Sequence, residues 1–221
     1  MKILVVAPHP DDETLGCGGT LLRHHADGDE IHWLIMTTIT EKAGFSKERI
    51  ESRKQEIDTV AEKYQFSSVR QTQYVTTTLD IVANNELISE ISDFIGKVKP
   101  DTIYVPYRND IHSDHTAVFD AVVSCTKSFR YPFICRVRVY ETLSETEFSI
   151  RPDDTGFHPN LWVDISSYLE EKIKIMQLYE GEMGQPPFPR SEKNIRALAT
   201  LRGSTAGVDA AEAFVTLKEI I

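Results

Sequence analysis

The chain has 221 residues, of which 41% are hydrophobic and 26% charged; this composition is that of a globular protein and excludes disordered, collagen-like and disulfide-scaffold chains. A formal net charge of -10, with no cluster of basic residues, argues against nucleic acid or an anionic membrane surface as a partner. Three cysteines without CxxC spacing, and a start with too few apolar residues before Pro8 for a signal peptide or membrane span, lead us to expect a cytoplasmic protein.

Short apolar runs rich in β-branched residues alternate with helical patterns along the chain. We predict strands at 3–7, 31–37, 69–75, 102–105, 134–140 and 161–165, and helices at 16–26, 47–64, 87–98, 115–126, 166–179 and 191–201. Such alternation predicts parallel strands joined by right-handed crossovers, with helices on both faces of the sheet. We therefore expect one α/β domain over residues 1–221, Rossmann-like, with a mainly parallel sheet in the order 3-2-1-4-5.

Two clusters of metal-binding side-chain types follow the first and the fourth predicted strand. Ala-Pro-His-Pro-Asp-Asp-Glu occupies positions 7–13, and His-Ser-Asp-His occupies positions 112–115. In the order 3-2-1-4-5, strands one and four are neighbours at the switch point, where ligands bind outside the carboxyl ends of the strands. We therefore expect the two loops to face each other and to form one divided site.

Three of these side chains are predicted to hold a metal ion. His9 and Asp12 from the first loop, with His115 from the second, offer two imidazole nitrogens and one carboxylate oxygen. Three protein ligands with a fourth position left for water are typical of a catalytic zinc site. The pKa of a water bound there falls towards about 7, so hydroxide becomes available at neutral pH. The same ligand set also suits ferrous iron.

Three further side chains are predicted to take part in the reaction. Asp11 diverges from its neighbour Asp12 in an extended loop and is free to act as a general base on the metal-bound water. His112 is predicted to enter the same pocket as an imidazolium and to stabilise a developing oxyanion. Asp114 is predicted to orient one of the histidines.

Each cluster alone also has a simpler interpretation. Acids at a helix start favour the helix dipole, and a His-x-x-His pair occurs on protein surfaces. A dinucleotide site is excluded, because the glycines within 16–19 lack GxGxxG spacing and the preceding acids would repel a pyrophosphate. These glycines are instead predicted to let the helix pack closely on the sheet. The position of both clusters after neighbouring strands favours the functional interpretation.

The remaining histidines are predicted to be mainly structural. His24 and His25 lie within a predicted helix and His32 within a predicted strand, and none has a partner at ligand spacing. His158, in a loop, is a weak site candidate. The proline-rich loop at 184–191 is a further candidate for lining the site.

The two clusters together resemble the signature motifs of the PIG-L/LmbE-like zinc N-deacetylases, and the resemblance extends over nearly the whole chain. It implies removal of an N-acetyl group, typically from an N-acetylglucosamine unit of a small glycoconjugate, which yields a free amine and acetate. By this resemblance His9, Asp12 and His115 would bind zinc. Asp11 would be the base, and His112 would steady the tetrahedral intermediate.

Family members commonly take substrate contacts from the segment after strand two and from the next helix. This makes Glu41 and Arg53 candidates for substrate binding. For Arg53, a solvated position on the helix face is an equally good interpretation. Some relatives have a mobile tyrosine where this chain has Asp110, so no tyrosine role is carried over.

The predicted function is thus zinc-dependent N-deacetylation of a small glycoconjugate. A metal-dependent amidase acting on another amide stays open as an alternative. So does a metal-binding or sugar-binding protein without catalytic activity, although intact Asp11 and His112 argue against it. We expect a small-molecule substrate, no nucleic acid and no membrane span, and we leave association into a homo-oligomer open.

Overall fold

The computed structural model describes residues 1–150 and 156–221 of the chain. Strands and α-helices within these residues follow one another as β1 (Lys2–Ala7), α1 (Asp12–Ala26), β2 (Glu30–Ile35), α2 (Lys47–Tyr64), β3 (Ser68–Gln71), α3 (Asn84–Val98), β4 (Thr102–Pro106), α4 (Ser113–Ser124), β5 (Arg136–Tyr140), β6 (Leu161–Asp164), α5 (Leu169–Met176), α6 (Glu192–Ala206) and β7 (Ala211–Glu219). Among the described residues, no helix combines the length and the apolarity that crossing a bilayer requires.

The seven strands form one sheet in the order β3-β2-β1-β4-β5-β7-β6. The first five strands are parallel to one another, which confirms the predicted α/β fold and the order 3-2-1-4-5. The sequence-based prediction missed β7, which lies between β5 and β6 and is antiparallel to both. The sheet is therefore parallel where the site was predicted and mixed at the far edge.

Both faces of the sheet are buried under helices, as predicted. Along β1, Ile3 and Val5 pack with apolar residues of α1, α2 and α5, whereas Leu4 and Val6 pack with those of α3 and α4. Because neighbouring residues of a strand point to opposite faces, a strand covered on both sides is apolar throughout. This explains why the first strand is an unbroken apolar run.

Helix α1 begins four residues earlier than predicted, at Asp12, and it is kinked at Cys17 (φ -146°, ψ 21°). Its glycines lie against large side chains, as the sequence suggested. A Cβ atom at Gly16 would come within 2.2 Å of the Tyr140 ring, and one at Gly19 within 2.7 Å of Ile165. Glycine thus allows the helix to approach the sheet closely. The same glycines interrupt the helical spacing of apolar residues, so the start of the helix is hard to recognise in the sequence.

Candidate active site

The two motifs meet at the carboxyl ends of β1 and β4, which are adjacent parallel strands. His9 lies in the turn between β1 and α1, Asp12 is the first residue of α1, and His115 lies in the first turn of α4. The centroid of the His9 ring is 4.5 Å from that of His112 and 5.5 Å from that of His115. Parallel pairing therefore brings together side chains that are about a hundred residues apart in sequence.

Three ligand-type atoms converge in this site. Asp12 Oδ2 lies 3.3 Å from His9 Nδ1 and 3.3 Å from His115 Nε2. Ligand atoms of a tetrahedral zinc site with bonds of about 2.0–2.1 Å are about 3.3 Å apart. His115 Nε2 is buried and makes no hydrogen bond with the described residues, a costly state unless another group binds it. The donor set and this unpartnered nitrogen both fit a metal ion.

Buried carboxylates fix which ring nitrogen each of the two histidines presents. His9 Nε2 donates to Asp114 Oδ2 at 2.9 Å, and His115 Nδ1 donates to Asp110 Oδ2 at 2.7 Å. An ionised carboxylate only accepts hydrogen bonds, so the opposite nitrogen of each neutral ring carries a free lone pair. Those opposite nitrogens are the two that face Asp12. A second grouping, of His9, Asp114 and His112, contains the His9–Asp114 pair that this hydrogen bond already joins.

Asp114 has the position that an orienting residue requires. Its carboxylate accepts the backbone N–H groups of Thr77 at 2.7 Å and Leu79 at 2.9 Å. The sequence prediction missed Asp110, whose other carboxylate oxygen accepts the hydroxyl of Thr146 at 2.6 Å. The signal that marks Asp110 in the sequence is its position in the loop after the fourth strand, two residues before the second motif.

The charges within the site are strongly coupled. Burial alone would raise the pKa of Asp12, but the facing imidazoles of His115 and His9 hold it well below its usual range. Burial opposes protonation of His9, yet hydrogen bonds to Asp114 and Asp12 raise its pKa to about 9. The acidic residues thus attract positive charge to this point, whether protons or a metal cation.

Asp11 lines the cavity beside this metal-binding group. Its pKa is raised well above the usual range, first by burial and then by the negative charges of Asp12 and Glu182. Asp11 is also the N-cap residue of α1, but its side chain makes no capping hydrogen bond. Its backbone has φ 129°. The carboxylate is therefore available to a group in the cavity instead of to the helix.

The surroundings of His112 favour its neutral form over the predicted imidazolium. Burial and the neighbouring His9 lower the pKa of His112 to about 4. Its Nδ1 accepts the backbone N–H of Asp114 at 3.1 Å, which places the proton of the neutral ring on Nε2. A neutral imidazole can still donate that Nε2–H to an oxyanion, so the predicted role needs no positive charge.

These groups lie at one side of a cavity of about 210 Å³. Loops after the parallel strands and the chain after α5 supply its walls. The lining residues are His9, Pro10, Asp11, Asp12, Thr37, Thr38, Ile39, Phe45, Arg53, Gln71, Thr76, His112, Glu145, Glu182 and Arg190.

The sequence model of the family described as GlcNAc-PI de-N-acetylase, PIG-L, matches residues 4–126, more than half of the chain. The chain belongs to the PIG-L family. Among its relatives, the diacetylchitobiose deacetylase of Thermococcus kodakarensis is 24% identical over 223 residues, which cover 93% of this chain and 79% of that protein.

Solved structures share the PIG-L fold along the whole chain. The conserved protein TT1542 from Thermus thermophilus is 26% identical with a TM-score of 0.77, and the match covers 99% of this chain and 96% of that one. GalB, the 4-carboxy-2-hydroxymuconate hydratase from Pseudomonas putida KT2440, is 17% identical with a TM-score of 0.75, covering 100% of this chain and 97% of that one. The second likeness is one of fold alone, because a shared fold does not fix a reaction.

The two predicted substrate contacts of this PIG-L chain lie in different surroundings. Arg53 lines the cavity and is only 9% exposed, so the interpretation as a solvated helix residue is wrong. Its Nη1 donates to the carbonyl of Pro10 at 2.9 Å, and its guanidinium also pairs with Glu182. Glu41 is exposed and does not line the cavity. A substrate contact stays a prediction for both.

The PIG-L cavity also contains charged residues, of which the sequence prediction missed Glu182 and Glu145. Glu182 and Arg190 form an ion pair at 3.0 Å on the wall supplied by the chain after α5, and Glu145 lines the cavity as well. Arg190 belongs to the loop at 184–191 that was a candidate for lining the site. No local motif marks Glu182 or Glu145, because their position depends on contacts that are distant in sequence.

Of the three histidines predicted to be structural, His24 and His32 have structural partners, and His25 is exposed. His24 is hydrogen-bonded to Asp29 at 2.7 Å and to the Tyr104 hydroxyl at 3.0 Å, and His32 to Ser68 at 2.8 Å. None of these residues lines the cavity, and neither does His158.

Proposed function

We propose that this chain is a metal-dependent hydrolase that removes the N-acetyl group of an N-acetylglucosamine-type sugar or small glycoconjugate, with residues 1–221 acting as one domain. The observation that most supports this is the convergence of His9 Nδ1, Asp12 Oδ2 and His115 Nε2 beside the carboxylate of Asp11. Membership of the PIG-L family and the relative named as a diacetylchitobiose deacetylase support an acetylated amino sugar as substrate.

The proposed ligands of the metal are His9, Asp12 and His115. Zinc would supply Lewis acidity and would lower the pKa of a water molecule at the remaining position. Two imidazoles and one carboxylate also suit ferrous iron. Elemental analysis of protein purified without added metal distinguishes the two.

Asp11 is the proposed general base. Its raised pKa makes it a better proton acceptor near neutral pH than an ordinary carboxylate. It takes a proton from water as the water oxygen bonds to the amide carbon. When the carbon–nitrogen bond then breaks, the same proton is passed to the leaving nitrogen, so that water and amide become acetic acid and amine. The acid then gives up its remaining proton, and the products at neutral pH are acetate and an ammonium group.

His112 is proposed to stabilise the amide oxygen as it becomes an oxyanion. The hydrogen bond from Asp114 N–H to Nδ1 leaves Nε2–H as the only donor of the neutral ring. A donor that is fixed before the reaction stabilises developing charge without a cost of reorientation.

The proposal is tested by acetate release from a panel of N-acetylglucosaminyl compounds and simple amides, with zinc-loaded protein. Asp11→Asn should lower kcat by about 10²–10⁴-fold with zinc still bound, whereas His115→Ala should lose zinc. Asp58→Asn, which changes an exposed aspartate of α2, is the matched control and should behave as wild type.

Failure of the wild type to release acetate from every sugar, with zinc bound at one equivalent, would refute deacetylation of this class of substrate. Release confined to amides that are not sugars would instead favour the amidase. Full activity of Asp11→Asn would show that another group is the base.

A further inference from the structure

The turn that carries Asp11 is held by a buried carboxylate to which the proposed reaction gives no role. Glu13 is completely buried, and its Oε2 accepts the backbone N–H of Asp11 at 3.1 Å. Its Oε1 accepts the hydroxyl of Tyr179 at 2.6 Å and that of Thr14 at 2.5 Å. A carboxylate that accepts three hydrogen bonds inside the protein is fixed in position.

Glu13, the buried carboxylate that anchors the turn, acts on a strained backbone at Asp11. Asp11 has φ 129° and ψ -29°, a region that residues other than glycine rarely adopt and that persists only where the surroundings enforce it. Aspartate at an N-cap normally has an extended backbone and turns its carboxylate back onto the N–H groups of the first helical turn. In that relaxed conformation the carboxylate would leave the cavity and cap α1.

Tyr179 connects this anchor to the cavity wall. It follows α5 in the chain and lies 1% exposed, just before the segment that brings Glu182 to the cavity. The guanidinium of Arg53 lies 5.7 Å from the centroid of the Tyr179 ring, and its Nη1 donates to the Pro10 carbonyl. The Pro10 carbonyl and the Asp11 N–H belong to one peptide unit, so Arg53 and Glu13 hold that unit at both of its polar groups.

We propose that Glu13 and Tyr179 are positioning residues for Asp11, which keep its carboxylate in the cavity by preventing it from capping α1. The inference rests on the proposed function, because it takes Asp11 as the base. Stability alone would not favour this arrangement, since well-packed apolar residues are often as stable as a buried carboxylate with its partners. The buried Glu13 with its partners is explained if Asp11 must keep the one backbone conformation that leaves its carboxylate in the cavity.

The test compares two variants that each lose one buried hydroxyl. Tyr179→Phe removes a donor to Glu13 but keeps the ring. Tyr104→Phe removes a hydroxyl that contacts His24 and Arg138, outside the cavity. With the zinc-loaded enzyme, Tyr179→Phe should lower kcat about tenfold while KM and zinc content stay at wild-type values. Tyr104→Phe should retain the wild-type kcat.

A kcat for Tyr179→Phe that matches Tyr104→Phe would overturn the inference, and so would a loss confined to zinc content. If Tyr179→Phe fails to fold, Glu13→Gln takes its place. The glutamine amide has an NH2 group in place of one carboxylate oxygen, so it cannot accept both the Asp11 N–H and the Tyr179 hydroxyl. The same fall in kcat, with KM and zinc content unchanged, is expected. If the wild type itself releases no acetate, the proposed function fails. The positioning role is then tested by crystal structures of the wild type and of Tyr179→Phe. An Asp11 carboxylate that caps α1 in Tyr179→Phe supports the positioning role, and an unchanged Asp11 refutes it.

Discussion

Asp110 and Asp114, which both follow β4, each orient one of the two histidines. Each accepts a hydrogen bond from one imidazole and thereby turns the opposite nitrogen of that ring towards Asp12. A ring oriented in this way is also a more basic ligand, because the carboxylate stabilises positive charge on it. The affinity for a metal should therefore depend on residues that never touch it.

Asp110→Asn should weaken zinc binding about 10–100-fold. The amide that replaces the carboxylate can present N–H to His115 Nδ1, so the imidazole is no longer held in one tautomer or one orientation. Competition with a chromogenic chelator measures the change in the dissociation constant. Asp120→Asn is the matched control, since that half-buried aspartate of α4 pairs with Arg108 at the surface, away from the site. Equal zinc affinity in the two variants would contradict the orienting role of Asp110.

Side chains from β7 and α5 bond to backbone groups of α1 on either side of its kink. After the kink at Cys17, the N–H groups of Gly19 and Thr20 donate to the Glu212 carboxylate of β7 at 2.9 and 2.7 Å. These N–H groups lie at the start of the helical segment that follows the kink, so Glu212 caps this segment from a distant strand. The carbonyl of Leu15 before the kink accepts Lys172 Nζ at 2.9 Å.

Lys172→Met should destabilise the protein by about 3–5 kcal/mol. Lys172 and Glu212 form a buried pair at 2.7 Å, and removal of the lysine leaves the carboxylate buried without its counterion. Urea unfolding measures the change in free energy. Lys174→Met in the same helix breaks an exposed pair with Glu171 and should change stability by less than about 1 kcal/mol. Similar free energies for the two variants would show that the buried pair adds nothing to stability.

For the whole molecule, the sequence predicts correctly the features that depend on local hydrophobic pattern and on the pairing of parallel strands. The apolar strands and the position of the motifs after strands one and four led to the observed order of the first five strands and to the meeting of His9 with His115. The features that were missed depend on contacts distant in sequence. Strand β7 pairs with β5 across more than 70 residues, and Glu182 reaches the cavity only because the chain after α5 folds back towards α2.

The position of β7 inside the sheet makes the last residues of the chain necessary for the whole fold. Deletion of 208–221 removes the partner of β6, exposes the edge of β5 and takes away the completely buried Phe214. The deletion also removes Glu212, which caps the second half of α1. A net stability of about 5–15 kcal/mol is too small to absorb all of these losses.

The truncated protein should therefore have no cooperative thermal transition and no stoichiometric zinc binding, although the proposed metal ligands are all retained. Near-UV circular dichroism during heating and zinc titration measure the two properties. Deletion of Ile221 alone, whose side chain is fully exposed, should leave both as in the wild type. A truncated chain that melted cooperatively and bound one zinc would show that β1 to β5 form a self-sufficient unit. In that case the site would depend on the parallel strands alone.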